Sequence, residues 1–176
     1  MKLPDKMQHP GYIAISIIRT HNLTALLIHL GMFLHAVLRF RKPKRSYNHS
    51  EVRFGELTSG AIAEGVKTRS WPHYVAEHYG KYFRHYDYIL ELTDEEWGNG
   101  YEYLKQAEGT KYEYANFLYH AIKIFTGKWM GSKTTRQSYC LEHAIRFMNA
   151  TGKYNLNVFM NPYEFEMLMD EKQGII

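Results

Sequence analysis

One cysteine is all that this 176-residue chain carries. No internal disulfide can form, and nothing in the fold calls for an oxidising compartment. Proline is scarce as well, with five residues, and no tract rich in proline, glycine or serine marks a linker. The opening residues Met1-Lys2-Leu3-Pro4-Asp5-Lys6 have no apolar stretch or small-residue cleavage site behind them, the pattern expected of a cytoplasmic protein. Neither sign of charge dominates: 22 Lys and Arg stand against 18 Asp and Glu, a net +4. No RNA- or DNA-binding pattern accompanies that balance, which argues against nucleic acid as a partner. There is no internal repeat. With 45% apolar residues, the length suits one domain over 1–176 with a real core.

What is present divides along the chain. Residues 12–19 are β-branched and mostly apolar, the composition of a buried or half-buried first strand. Asn22 can cap an apolar helix reaching about residue 39. Two strands are expected at 52–57 and 61–69, joined across Thr58-Ser59-Gly60, whose glycine suits a tight turn. A short helix at 71–79 has Pro72 in its first turn and Gly80 at its end. A strand at 86–92 follows. Thr93 and Glu96 have capping-box spacing for a helix to about 107, closed by Gly109. Apolar positions Tyr114, Phe117, Leu118, Ala121, Ile122 and Phe125 mark a core helix. Another helix begins at Cys140 and stops near Gly152. Asn161-Pro162 is an N-cap and N1 pair for a last helix to about 170. Strands precede helices, the order of a segregated α+β domain in which a small antiparallel sheet packs against helices.

Cys140 opens its helix in Ser138-Tyr139-Cys140-Leu141-Glu142-His143, with Ala144, Ile145 and Met148 giving the apolar spacing. A thiol there feels the positive end of the helix dipole and unpaired N–H groups, both of which favour thiolate. Read from the local sequence, the same residue is also compatible with nothing more than packing as a small buried hydrophobe. Far upstream, Tyr47-Asn48-His49-Ser50-Glu51-Val52-Arg53-Phe54 reads as a strand entry bearing a histidine. A base on a strand facing a thiol on a helix is the papain-type arrangement.

Asn48-His49, then Ala63-Glu64-Gly65-Val66 on a hairpin, then Tyr139-Cys140-Leu141-Glu142 on a late helix: this order resembles the circularly permuted papain-like amidases of the NlpC/P60 superfamily, the YiiX/YaeF-like group. The likeness spans roughly residues 12–151. It implies a papain-like core with Cys140 as nucleophile, His49 as general base and Glu64 as the acid orienting the imidazole. It further implies a thioester intermediate, no cofactor, and a small peptide, cell-wall-like or acyl-amide substrate. Thiol, base and acid are each needed. A free thiol is only a few per cent thiolate at neutral pH, so a base must take its proton and return it to the leaving amine. A carboxylate then fixes the tautomer of the base. The Cys140 N–H would meet the oxyanion, with Tyr47 or Tyr139 adding a hydroxyl. The chain departs from the group where Leu141 replaces a serine and where Tyr12 follows Gly11 in place of aspartate. Read from the residues alone, Glu56 or Glu91 could serve as the acid equally well.

Other features carry weaker signals. His143 shares a helix face with Cys140 three residues away, but parallel side chains on one helix seldom align a base with a nucleophile, and no further ligands stand at metal-site spacing. No metal is expected. The apolar segment 23–40 followed by Arg41-Lys42-Pro43-Lys44-Arg45 suggests peripheral membrane contact through residues 22–45, as an alternative role for a non-catalytic relative of the same fold that binds a membrane surface or a protein. Fifteen tyrosines fit either a groove for extended ligands or ordinary α+β interfaces.

Overall fold

The computed structural model describes residues 3–19, 47, 49–78, 84–112 and 137–174. The helices expected at 22–39 and 114–125, and the basic segment 41–45, lie outside the described residues. Within them, five antiparallel strands form one sheet: β1 (Ile13–Arg19), β2 (His49–Phe54), β3 (Leu57–Ile62), β4 (Gly65–Ser70) and β5 (Arg84–Ile89), in the spatial order β4-β3-β2-β1-β5. Four helices accompany them: α1 (Trp71–His78), α2 (Asp94–Ala107), α3 (Cys140–Ala150) and α4 (Pro162–Lys172). The chain is α+β, as its pattern predicts. Among the described residues, no helix is long and apolar enough to cross a membrane.

β1 is the middle of the core, and its sequence shows why. Six of its seven residues are buried, so it reads as a nearly unbroken apolar run with no solvent-facing alternation. Its register with β2 and β5 pairs Ile13 with Phe54, and Ile15 with Val52 and Tyr88. These side chains share one face, against Trp97 and Leu104 of α2, Phe147 of α3 and Phe165 of α4. Because side chains alternate along a strand, the same register sends His49, Glu51 and Arg53 to the other face. That face carries charge, and α1 covers it. Trp71 and Tyr74 pack on Ile18, the Arg53 guanidinium lies 4.6 Å from the Trp71 ring, and that of Arg69 lies 4.5 Å from the Tyr74 ring.

The expected hairpin is displaced. Thr58, Ser59 and Gly60 sit in the middle of β3, and the turns fall at Gly55-Glu56 and Ala63-Glu64. Gly55 has φ 54°, the left-handed backbone that favours glycine in a tight turn. Gly60 is glycine for a different reason, the approach of another side chain. A Cβ built on it would lie inside the Glu51 carboxylate.

The helix starts are as the sequence predicts. Thr93 and Glu96 form a reciprocal capping box, with Glu96 N–H donating to Thr93 Oγ1 at 3.2 Å and Thr93 N–H to Glu96 Oε2 at 2.8 Å. Asn161 and Glu164 do the same for α4, whose first residue is proline. A two-residue parallel ladder, β6 (Lys111–Tyr112) with β7 (Gln137–Ser138), brings the chain to the start of α3. β6 is tied to β4 through the Val66 N–H donating to Thr110 O at 2.8 Å.

Two glycines of α2 test the packing. A Cβ on Gly98 meets nothing within 4 Å, whereas one on Gly100 falls 2.7 Å from a ring carbon of Phe147 on α3. In urea denaturation, Gly98→Ala should raise stability by up to about 1 kcal/mol through helix propensity. Gly100→Ala should lower it by roughly 1–3 kcal/mol through overpacking. Equal effects of the two substitutions would contradict the α2–α3 interface described.

Candidate active site

Tyr139 is the N-cap of α3, extended at φ −104° and ψ 168°, and its side chain caps nothing. The first intrahelical bond is His143 N–H to Tyr139 O at 2.9 Å. The N–H groups of the opening turn therefore have no carbonyl within the helix. The Leu141 N–H turns to the Cys140 sulfur, and the Ser50 N–H of β2 meets it from the sheet. Cys140 itself is 9% exposed.

His49 approaches from the first position of β2, in register with Ile18, and is hydrogen-bonded to the same sulfur. Its Nε2 lies 2.6 Å from Glu51 Oε1, leaving Nδ1 for the thiol. Glu51 is wholly buried. Its Oε1 also accepts from Arg69 Nη2 at 2.6 Å, and its Oε2 from the Thr58 hydroxyl at 2.9 Å. Sulfur, imidazole, carboxylate and guanidinium thus form a row whose charges alternate in sign when the thiol and ring are ionised.

The electrostatics follow from that row. Burial alone would push the His49 pKa down, but the neighbouring Cys140 charge and hydrogen bond, reinforced by Glu51, push it up to about 10. Burial likewise opposes the Cys140 thiolate. The His49 charge and hydrogen bond, with the Ser50 and Leu141 N–H groups, outweigh it and hold the thiol below its ordinary value. Glu51 is also desolvated, yet bonds from His49, the Arg69 charge and the Thr58 hydroxyl keep its carboxyl below the usual range. The sulfur, ring and carboxylate each favour the charged form of the next.

Of the residues expected at the site, Cys140 and His49 come together and Glu64 does not join them. Glu64 lies in the turn between β3 and β4, 68% exposed and paired with Lys67. Glu56 and Glu91 are exposed too. The carboxylate on His49 is Glu51, two residues along the same strand. The period-two rule carried the signal, because residues i and i+2 of a strand share a face. Tyr139 is buried, and its hydroxyl donates to Met160 O at 3.2 Å, which commits the proton that the oxyanion role required. Tyr47 is half-buried with its ring against the core.

His143 is fully buried, with Nε2 at 3.1 Å from Ser59 Oγ and Nδ1 at 3.1 Å from the Tyr103 hydroxyl. It ties the first turn of α3 to β3 and α2. Burial holds its pKa down, to about 4, so the ring is neutral at physiological pH. Among the described residues, no three His, Cys, Asp or Glu side chains are grouped to hold a metal ion. Comparison with protein-family models and with curated proteins returned no match to this chain.

The burial of His143 has a consequence for stability. A folded-state pKa near 4 lies below the unfolded value of 6.5, so protonation favours unfolding. The stabilisation is complete above about pH 6.5 and is lost as pH falls towards 4, amounting to something on the order of 3 kcal/mol. Urea titrations across that window should show a flatter pH dependence for His143→Gln than for wild type. Parallel curves would contradict the neutral, buried assignment.

Proposed function

We propose that this protein is a cysteine hydrolase of the amidase or peptidase type, acting on an amide bond through a thioester on Cys140. The observation that carries this reading is the buried row Cys140, His49, Glu51. Charges taken out of water cost several kcal/mol each unless well paired, and well-packed apolar residues in their place often stabilise a fold as much or more. A buried thiolate–imidazolium–carboxylate row is therefore poorly accounted for by stability and well accounted for by chemistry.

In the proposed reaction the Cys140 thiolate attacks the carbonyl carbon, forming a C–S bond as the carbonyl electrons move to oxygen. The oxyanion would meet the main-chain N–H of Cys140, at the positive end of α3. Collapse breaks the C–N bond, and the His49 imidazolium gives its proton to the departing amine. His49, now neutral, takes a proton from water as that water attacks the thioester. The acid leaves and the thiolate–imidazolium pair is restored. Glu51 keeps the ring oriented and stabilises its charged form. The substrate classes proposed are a small peptide, a cell-wall-like peptide or an acyl amide. Glu51 takes the part proposed for Glu64, and the histidine strand comes ahead of the cysteine helix, the chain order on which the resemblance to the permuted papain-like group rests.

Alkylation by iodoacetamide across a pH series tests the reading. Wild-type Cys140 should react fast near neutral pH, with an inflection well below the reference of about 8.5. His49→Ala should move that inflection upwards, and Glu64→Gln should leave it in place. Hydrolysis of a fluorogenic peptide-amide set should disappear in Cys140→Ser. An ordinary thiol titration in wild type, unchanged by His49→Ala, would overturn the proposal.

A further inference from the structure

The proposed reaction needs only three groups, yet a fourth is wired into them. Arg69 reaches Glu51 from β4, and its Nη2 donates at 2.6 Å to Oε1, the oxygen that also receives His49. An arginine held only to close a salt bridge would present its planar fork, two parallel N–H groups on two carboxylate oxygens. Here the second oxygen belongs to Thr58, and among the described residues the buried Arg69 Nε has no partner. The guanidinium lies over the Tyr74 ring of α1, 4.5 Å from its centre, with a side chain 20% exposed. Two cations thus share one carboxylate oxygen, and one of them is the imidazole of the reactive pair.

We propose that Arg69 is a positioning residue that, through the Glu51 oxygen it shares with His49, sets the pH window in which the Cys140–His49 ion pair exists. The inference rests on the reading of Cys140 and His49 as a reactive pair. With thiolate, imidazolium, carboxylate and guanidinium all present, the buried site is neutral. Without Arg69 it carries one net negative charge. A further negative charge on sulfur is then harder to form, so thiolate formation moves to higher pH. The imidazolium is harder to discharge, so its loss moves to higher pH as well. Both limits shift in the alkaline direction.

The other groups around Glu51 do not substitute for this charge. Arg53, on the same face of β2, is committed to Asp87 of β5 at 2.9 Å, and Lys67 of β4 to Glu64. His143 of α3 is neutral, and burial pushes the Tyr74 phenol of α1 well above its ordinary range. β1 and β3 present the uncharged Ser16 and Thr58 in register with Glu51 and Arg53 respectively.

The experiment is the pH profile of Cys140 alkylation by iodoacetamide on the full chain, for wild type, Arg69→Met, Arg69→Gln and Arg69→Lys, with circular dichroism to confirm folding. Arg69→Met and Arg69→Gln should shift both inflections upwards by roughly half to one pH unit, and Arg69→Lys should return both towards wild type. Arg69→Gln keeps a hydrogen-bond donor if the methionine variant does not fold. A purely structural role would lower the amplitude and leave the inflections in place. That result, with a wild-type thiol of low pKa, overturns the role of Arg69 alone. An ordinary thiol in wild type overturns the catalytic reading beneath it.

Discussion

A carboxylate with no exposure to water must be paired on every side, and the placement of Glu51 constrains much of this structure. Its two oxygens take bonds from three strands: His49 on β2, Thr58 on β3 and Arg69 on β4. Gly60 leaves the space that its head group fills. Leaving out any of these donors would leave a buried carboxylate less fully paired, at a cost of about 1–3 kcal/mol for a lost hydrogen bond to a charged group. The three strands are therefore held in one register by polar contacts, independently of the apolar packing on the opposite face. α1 completes the arrangement by laying Trp71 and Tyr74 over the arginines.

The same sheet face holds a second, half-buried acid with a similar set of donors. Asp87 of β5 accepts from the Ser16 hydroxyl at 2.6 Å, from the Tyr12 hydroxyl at 2.7 Å and from Arg53 at 2.9 Å. Burial, with the Asp87 bond and charge, pushes the Tyr12 phenol up to about 12, which keeps it a donor. The two clusters differ in one respect. The histidine beside Asp87 is the exposed His85, whose Nε2 lies 3.8 Å away, whereas Glu51 bonds His49 at 2.6 Å and that ring also meets the Cys140 sulfur.

Local chemistry made much of the fold legible. Helix starts at Thr93 and Asn161 follow from short-range capping rules, that at Cys140 from the apolar spacing behind it, and the mostly apolar run at 13–18 identifies a buried strand. Gly60 was misread because a glycine can mean a turn or a close approach, and only the tertiary position of Glu51 distinguishes them. At the site, the thiol and base were legible from their elements. The acid was assigned by likeness to a family pattern at Glu64, while strand periodicity already placed Glu51 on the face of His49. Arg69 carried no local signal. It reaches the site through the β3–β4 register, which pairs it with Thr58, and that is a property of the assembled sheet. His143 was recognised as sharing a face with Cys140, but its bonds to Ser59 and Tyr103 depend on how three elements meet.

The central claim is that Cys140 and His49 stand as a thiolate–imidazolium pair at neutral pH, and the protonation of the His49 ring reports it most directly. Nitrogen-15 NMR of the imidazole side chains, assigned with His49 and His143 variants, distinguishes a doubly protonated ring from a neutral one. The account predicts a charged His49 beside a neutral His143 at pH 7, with His49 becoming neutral at lower pH in Cys140→Ser, where the partner charge is gone. A His49 ring that is neutral at pH 7 in the wild-type protein, and indifferent to Cys140→Ser, would contradict it.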